Sequence, residues 1–260
     1  LTISGPEDWA SFISLASQIS SSQLVVLDDD IDCNGATYTT LTFAGNFDGQ
    51  NHIISNATFS ASDGYSGMFK TIGPEQKVCN LVLSNVTASY ASTYAGVLAG
   101  SISGTEGHNA LVQNVQVRGG SASGRSAGGI AGYIFFADVK YCSSTGTEIS
   151  GMANGGGIGG ISYGQISDCY STCAPTALPF LGTSGGIAGK NLEGGTISHC
   201  WCTESKEVGQ SSMATESSNL TNVSSSTTML TFIQNNFVAP YWQPAAGTAT
   251  TFTSEVAYDF

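Results

Sequence analysis

A short glycine frame recurs along this chain, and it constrains the fold more than any other feature of the sequence. The frames begin at Gly67, Gly96, Gly128, Gly156 and Gly185, so they recur every 28 to 32 residues. Each frame encloses apolar residues, as in Gly-Gly-Ile-Ala-Gly. A period of this length, with short apolar segments between glycine and serine turns, is typical of a solenoid built from stacked coils.

A second apolar segment alternates with the glycine frame and predicts another β-strand in each unit. It reads VCNLVL, VQNVQV, VKYC, ISDC and ISHC between residues 78 and 200. One unit cannot bury its apolar side chains alone, whereas stacked units pair strand on strand at about 4.8 Å. We therefore predict an all-β fold, a right-handed parallel β-helix whose interior holds three ladders of similar side chains. These are Leu98, Ile130, Ile158 and Ile187; Val78, Val112, Val139, Ile166 and Ile197; and Leu81, Val115, Cys142, Cys169 and Cys200.

The ends of such a stack expose unpaired strand edges, which need covers. The N-terminal stretch SGPEDWASFISLASQ predicts a short capping helix with Ser4 as its N-cap and Pro6 in its first turn. We predict one domain over residues 1–260, made of an N-terminal cap (1–22), coils (23–204), and a Ser-rich loop followed by an irregular C-terminal cap or strands (205–260). The apolar face of the helix would comprise Trp9, Phe12, Ile13 and Leu15.

Charge and composition exclude several classes of partner. The chain has 19 acidic and 7 basic residues and a net charge of -12, so it lacks the basic surface that nucleic acid requires. The same charge disfavours anionic membranes, and no apolar run approaches the ~20 residues of a membrane span. Seven cysteines in a Ser/Thr-rich chain indicate an oxidising compartment, so we predict a secreted protein.

Most of the chain also resembles a known family. The stretch FDGQNHII, with the earlier LVVLDDDIDC, resembles the opening coils of GLUG-motif proteins, and SGMFKTIG, AGGIAGY, GGGIGGI and GGIAGK resemble the motif itself. The resemblance covers about residues 5 to 205. It implies a β-helix on secreted or surface proteins, among them bacterial adhesins and N-terminal regions of proteases. It implies no single activity and no catalytic residue.

The cysteines are candidates for disulfide bonds. Cys142, Cys169 and Cys200 share one position in the repeat, so they should stack inward at a Cα separation within disulfide range. Packing as free buried thiols is equally compatible with that position. Two further links are candidates, one between Cys173 and Cys202 and one between Cys33 and Cys79. An odd number of cysteines leaves at least one unpaired within the chain.

We predict no cofactor, with calcium as an alternative at one acidic run. Asp28, Asp30 and Asp32 alternate, so a strand there would carry three carboxylates on one face, although a solvated face is the simpler interpretation. His52, His108 and His199 are scattered without the spacing of a metal site. For His52 we expect a buried hydrogen-bonding role instead.

Catalytic groups are not predicted. A carbohydrate-cleaving β-helix needs two carboxylates on one face. The acids near successive frames are Asp138, Asp168 and Glu193. Asp168 falls in an outward row of mixed residues, which disfavours a paired-acid site. That row comprises Asn80, Asn114, Tyr141, Asp168 and His199.

Glycosylation and interface residues complete the predicted sites. Sequons occur at Asn56, Asn85, Asn219 and Asn222, of which the last two lie in the polar loop. Tyr241 and Trp242 are candidate interface anchors, because exposed aromatic residues are frequent hot spots. We predict a non-enzymatic extracellular or cell-surface protein. It would bind surface glycans or proteins as an adhesin, or join other subunits in a filament or coat. A polysaccharide hydrolase or lyase is the alternative.

Overall fold

The structure confirms the predicted parallel β-helix. This computed structural model describes residues 1–61, 63–204, 208–211, 220–221, 243–244 and 252–253; at 89–92, at 210–211 and in the last three segments only the backbone is described. The chain winds through about five turns of parallel strands, preceded by one short α-helix.

The helical segments are α1 (Pro6–Leu15) and a single 3-10 turn (Ala16–Gln18). The strands are β1 (Thr2–Ile3), β2 (Leu24–Leu27), β3 (Ile31–Asp32), β4 (Thr37–Thr39), β5 (Asn46–Asp48), β6 (Ile53–Ser55), β7 (Thr58–Ser60), β8 (Tyr65–Ser66), β9 (Phe69–Ile72), β10 (Lys77–Ser84), β11 (Thr87–Gly96), β12 (Ala99–Ser103), β13 (Ala110–Arg118), β14 (Ser121–Gly128), β15 (Ala131–Lys140), β16 (Ser143–Thr145), β17 (Glu148–Gly156), β18 (Gly159–Ser167), β19 (Tyr170–Ser171), β20 (Thr176–Ala177), β21 (Thr183–Gly185), β22 (Ala188–Asn191), β23 (Thr196–Ser198), β24 (Trp201–Cys202), β25 (Val208–Ser211), β26 (Leu220–Thr221), β27 (Gln243–Pro244) and β28 (Phe252–Thr253).

Most strands belong to two sheets that share the coils. The larger sheet has 18 strands and the smaller has eight. Each coil contributes to both, so that β14, for example, pairs with β11 and β17 in neighbouring coils of the smaller sheet. Pairing within both sheets is parallel, as expected when each strand meets its equivalent one turn later.

The predicted interior ladders are present in the predicted register. Val78 pairs with Val112, Val112 with Val139, Val139 with Ile166, and Ile166 with Ile197. All members of the three predicted ladders are fully buried. Their burial removes apolar area from water in every coil, which stabilises the stack by roughly 25 cal/mol per Å².

A further interior row changes character along the stack. It begins with aliphatic residues, continues through Val117, and ends with Ser144, Ser171 and Cys202, and every member is buried. Strand pairing joins them in sequence as Ile31, Ile54, Leu83, Val117, Ser144, Ser171 and Cys202.

The second glycine of the later frames packs against this row. A Cβ on Gly129 would lie 2.1 Å from Ser144 Oγ, and one on Gly157 would lie 2.2 Å from Ser171 Oγ. The frame that begins at Gly96 has Val97 at this position instead, and Val97 is buried. Glycine is therefore required in the later coils because the neighbouring polar side chain occupies the space of a Cβ.

The N-terminal helix packs on the first coils through one aromatic face. Phe12 is fully buried, and its ring centroid lies 5.6 Å from that of Phe43 and 5.8 Å from that of Phe47. Two predicted details are wrong. The N-cap is Gly5 without a side-chain cap bond, and the Ser4 amide instead donates to Asp8 Oδ2 at 3.0 Å.

The second correction concerns Leu15, which is 47% exposed instead of lying on the buried face of the helix. The chain turns into the 3-10 segment at Ala16. On a helix with 3.6 residues per turn, Leu15 lies about 120° from Trp9 and so falls outside the buried face, which Trp9, Phe12 and the following Ala16 form.

The parallel stack extends past residue 204. Strand β25 pairs with β22, and β26 pairs with β23, both in the parallel sense. At least part of the Ser-rich segment therefore continues the coils.

Candidate functional site

Glycines near the start of strands in the larger sheet allow these strands to pass very close to strands of the smaller sheet. A Cβ on Gly132 would lie 2.4 Å from the backbone N of Ala95, and one on Gly100 would lie 2.8 Å from the Cβ of Tyr65. Strands of the smaller sheet therefore end directly against strands of the larger sheet that begin in the next coil. The side chains next to this crossing, from both sheets, project on the same side of the molecule.

Tyrosine side chains from both sheets meet along this crossing. The ring centroids of Tyr65 and Tyr94 are 5.6 Å apart, those of Tyr94 and Tyr133 are 4.9 Å apart, and those of Tyr133 and Tyr163 are 5.9 Å apart. All four are half-buried, so their rings are partly open to solvent. We call this surface, with Phe135 and Phe136, the aromatic groove.

The phenol of Tyr133 remains protonated at physiological pH. Burial, together with the neighbouring phenols of Tyr163, Tyr94 and Tyr65, raises the pKa of Tyr133 to about 12. A neutral phenol both donates and accepts hydrogen bonds. The groove therefore offers aromatic faces together with hydroxyl groups.

A cleft of about 410 Å³, cleft one, opens on one side of Tyr163. Its floor includes Tyr94 and Ile161, and its walls include Arg125, Lys190 and the exposed Leu181. Three of its polar side chains are held in a chain of hydrogen bonds. Asn154 Nδ2 donates to Ser126 Oγ at 2.8 Å, and Thr183 Oγ1 donates to Asn154 Oδ1 at 3.0 Å.

A β-bulge builds the other side of the groove. The register between β15 and β18 shifts after Phe135, and Phe136 has a φ of 43°. Positive φ is costly for a bulky residue, and bulges commonly redirect a side chain next to a functional site. Here the side chain of Phe136 is turned outward and is 37% exposed.

Beside this bulge lies cleft two, of about 360 Å³. It shares Tyr163 with cleft one and adds the faces of Phe135 and Phe136. Its polar lining comes from the side chains of Asn109, Gln165 and Glu193.

The sequence carries a signal for this groove in the positions of its tyrosines relative to the glycine frames. Tyr65 and Tyr94 each precede a glycine frame by two residues, and Tyr133 directly follows one. Only the crossing of the two sheets brings these different repeat positions together.

The acidic run is placed differently from the prediction. Asp28 and Asp30 lie between β2 and β3, not on a strand, so the three alternating carboxylates do not share one strand face. Asp30 Oδ1 accepts hydrogen bonds from the backbone N of Ile53 at 2.9 Å and lies 3.1 Å from His52 Nδ1. Asp32 Oδ1 accepts from Asn56 Nδ2 at 2.9 Å, which with the backbone N of Asn34 lowers the pKa of Asp32.

His52 is one-third exposed and paired with Asp30, so the expected hydrogen bond is present without full burial. No group of three or more His, Cys, Asp or Glu side chains is arranged to hold a metal ion within the residues that the structure describes.

The row of residues predicted to point outward lies at a corner where the larger sheet bends, with one residue in each coil. Its members, from Asn80 to His199, all have φ between 50° and 54°. The outward direction is wrong for Asp168, which is 8% exposed, and for Asn80 and Asn114, which are 1% exposed. Their amides turn along the stack, where Asn114 Nδ2 donates to Asn80 Oδ1 at 2.9 Å.

The three candidate acids have different partners. Asp138 lies 3.5 Å from Lys140 Nζ and accepts a hydrogen bond at 3.4 Å from Nδ2 of Asn109, a residue that lines cleft two together with Glu193. Asp168 is largely buried and lies 3.8 Å from His199 Nδ1. Burial raises the pKa of Asp168, while His199, Ser167 and Lys140 oppose that rise.

All seven cysteines, each within the described residues, are buried free thiols. The predicted bonds among Cys142, Cys169 and Cys200 are therefore absent, as are the links Cys173–Cys202 and Cys33–Cys79. In the stack each thiol donates instead to a backbone carbonyl two residues earlier, at 3.1 Å for Cys142 and Cys169 and 3.2 Å for Cys200.

Burial also keeps the thiols of Cys79 and Cys169 protonated. It raises the pKa of Cys79 to about 12 and raises that of Cys169 well above 9.0. A protonated, buried thiol is a poor nucleophile and a poor metal ligand.

Two of the predicted glycosylation sites belong to a hydrogen-bonded row. Asn85 Nδ2 donates to Asn56 Oδ1 at 2.8 Å, and Asn85 is exposed whereas Asn56 is half-buried. The candidate sequons Asn219 and Asn222 and the candidate anchors Tyr241 and Trp242 lie outside the described residues.

Comparisons with known proteins give one structural likeness. Neither the family models nor the curated proteins match the chain, so the GLUG resemblance stays a prediction. An immunoglobulin A1 protease-like protein from Bacteroides ovatus has a similar crystal structure, with 15% identity and a TM-score of 0.42 over 72% of this chain and 83% of that chain. In the described part of the chain, no helix has the length and hydrophobicity needed to cross a bilayer.

Proposed function

We propose that this chain is an extracellular or cell-surface β-helix protein that binds carbohydrate in the aromatic groove, as an adhesin does, without cleaving it. The observation that carries the proposal is the row of partly open aromatic rings flanked by two polar clefts. Sugar rings present C–H faces that pack on aromatic rings, and their hydroxyls pair with phenols, amides and carboxylates. Both clefts have the size of small-ligand sites.

The lining of the clefts supports binding instead of hydrolysis. Glycoside hydrolysis uses two carboxyl groups that flank one bond. Among the described lining residues, cleft one has no carboxylate and cleft two has Glu193 alone. The other two candidate acids are not among the lining residues of either cleft, and each has a basic partner, Lys140 for Asp138 and His199 for Asp168.

A glycan array followed by calorimetry on the best ligands tests the proposal. We expect Tyr163→Ala to weaken binding by roughly tenfold, because Tyr163 lines both clefts and the loss of an aromatic contact costs on the order of 1.4 kcal/mol. Leu15→Ala, an exposed apolar residue on the remote helix, is the matched control and should bind as the native protein does. Circular dichroism confirms that both variants are folded.

Two results would overturn this proposal. Absence of binding to any saccharide would remove the ligand class, and release of reducing ends from a bound glycan would indicate an enzyme. The other prediction, a subunit of a filament or coat, is separable by sedimentation. Concentration-dependent polymers without saccharide binding would favour it.

A further inference from the structure

The basic residues are distributed unevenly with respect to the groove. The whole chain has only seven Lys and Arg against 19 Asp and Glu. Cleft one nevertheless contains Arg125 and Lys190, and no acidic residue is among its described lining. A cleft of positive charge on a strongly acidic protein concentrates field lines and attracts anions.

The two cations project from different sheets towards one space. Arg125 lies on β14 of the smaller sheet, and Lys190 lies on β22 of the larger sheet, paired with Ile161. Arg125 is exposed and Lys190 is half-buried. Neither makes an ion pair with a residue that the structure describes, whereas Lys70 and Lys140 are paired with Asp63 and Asp138.

Cleft two has the opposite character. Among its described lining residues the one carboxylate is that of Glu193, beside Phe136 and Tyr163, and there is no Lys or Arg. A carboxylate there disfavours an anionic group and accepts hydrogen bonds from neutral hydroxyls. The groove thus carries positive charge on one side of Tyr163 and negative charge on the other.

Resting on the carbohydrate-binding function proposed above, we infer that the ligand is an anionic saccharide with a defined orientation. Its carboxylate or sulfate lies in cleft one between Arg125 and Lys190, and a neutral ring packs on Phe136 in cleft two. Arg125 supplies the forked donor geometry that matches a carboxylate or sulfate. Lys190 contributes a second, more mobile positive charge.

The first experiment is an array of matched acidic and neutral oligosaccharides, with uronic acid, sialic acid and sulfated members. We expect binding to concentrate on the acidic members. The ratio of carboxylated to sulfated ligands identifies which anion is preferred. Equal binding to the acidic and neutral partners of each pair would overturn the inference while leaving the carbohydrate-binding function in place.

Calorimetry on the best acidic ligand and its neutral methyl ester or desulfated form tests the residues. Native protein should prefer the acidic form by about tenfold or more at low salt, as for a hydrogen bond to a charged group. The double variant R125Q/K190Q should bind both forms equally, and Lys77→Gln, a cation outside the clefts, should keep the preference. Added NaCl should weaken the acidic form selectively.

Tyr163→Ala separates this inference from the function on which it rests. It should weaken the acidic and neutral ligands by the same factor, because it removes stacking and not charge. Retention of the acid preference by folded R125Q/K190Q would overturn the assignment to cleft one. Absence of saccharide binding by native protein would overturn the proposed function itself.

Discussion

At the scale of single residues, the glycine frames do two different steric tasks. The second glycine of a frame makes room for an interior side chain, as Gly129 does for Ser144. The last glycine permits the close crossing of the two sheets, as Gly132 does beside Ala95. The sequence pattern predicts where these glycines lie, but their partners come from other coils and are visible only in the structure.

Replacement of an interior glycine tests this packing. We expect Gly129→Ala to destabilise the protein by about 1–3 kcal/mol, because its Cβ would lie 2.1 Å from Ser144 Oγ and 2.4 Å from the carbonyl O of Gly157. Urea denaturation measures the change. The control is Gly73→Ala, whose Cβ would meet only Gln76 Oε1 at 3.9 Å, with an expected effect within about 0.5 kcal/mol. Equal effects of the two changes would contradict the steric explanation.

In the row from Asn80 to His199, Asp168 is the residue whose negative charge opposes folding. Burial raises its pKa above the ordinary 3.8, so its contribution to stability is full below pH 3.8 and is lost as pH rises through the folded-state pKa. Asparagine occupies the equivalent corner at Asn80 and Asn114 with the same positive φ, which asparagine tolerates well. We therefore expect Asp168→Asn to raise the melting temperature at pH 7.

This gain should shrink as the pH falls towards 3.8, where the native aspartate becomes protonated. Thermal unfolding followed at several pH values checks the trend. A lower melting temperature for Asp168→Asn at pH 7 would show that the attraction to His199 and Lys140 outweighs the burial of the carboxylate.

At the scale of elements, the bulge in β15 determines the shape of the groove. Phe136 adopts a φ of 43° on a strand, and the result is an outward aromatic ring 4.4 Å from that of Phe135. The consecutive apolar residues at 134–136 are compatible with a strand but give no sign of the extra residue. A bulge depends on the partner strand. Between the two flanking pairs β15 has an extra residue, because β18 has only Gly164 there, and the sequence of β15 alone does not reveal this difference.

Two replacements at Phe136 separate strain from binding. We expect Phe136→Gly to be more stable than Phe136→Ala by about 1 kcal/mol, because only glycine accepts the left-handed conformation without cost. Both should weaken ligand binding to the same degree, since both remove the ring. At Phe135, where φ is not positive, the order should reverse and alanine should be the more stable. Chemical denaturation with calorimetry distinguishes these outcomes.

At the scale of the whole molecule, the repeat made the β-helix and its buried ladders predictable. The same residue position recurs in every coil, so one pattern fixes many contacts, such as Val112 with Val139. The groove escaped prediction because Tyr94 and Tyr133 hold different repeat positions on different sheets. Their contact depends on how the sheets cross, and periodicity within a strand contains no information about that crossing.

The state of the cysteines is a property of the whole stack and can be counted directly. We expect all seven thiols to react with Ellman's reagent in guanidinium chloride without reductant, and to react slowly in native protein because they are buried. Reductant should leave the melting temperature unchanged. A count below seven in unreduced, denatured protein would show that some of the links predicted from the sequence do form.

The interior row that passes from Ile31 to Cys202 predicts that the coils are most stable at the N-terminal end of the stack and least stable at the C-terminal end. The aliphatic side chains in its first coils exclude water strongly. The hydroxyls of Ser144 and Ser171, further along the row, can form hydrogen bonds with water if a coil opens. Amide hydrogen exchange should therefore be faster around residues 144–202 than around residues 31–117. Under tension this rod would unravel from its C-terminal side and leave its helix-covered end intact.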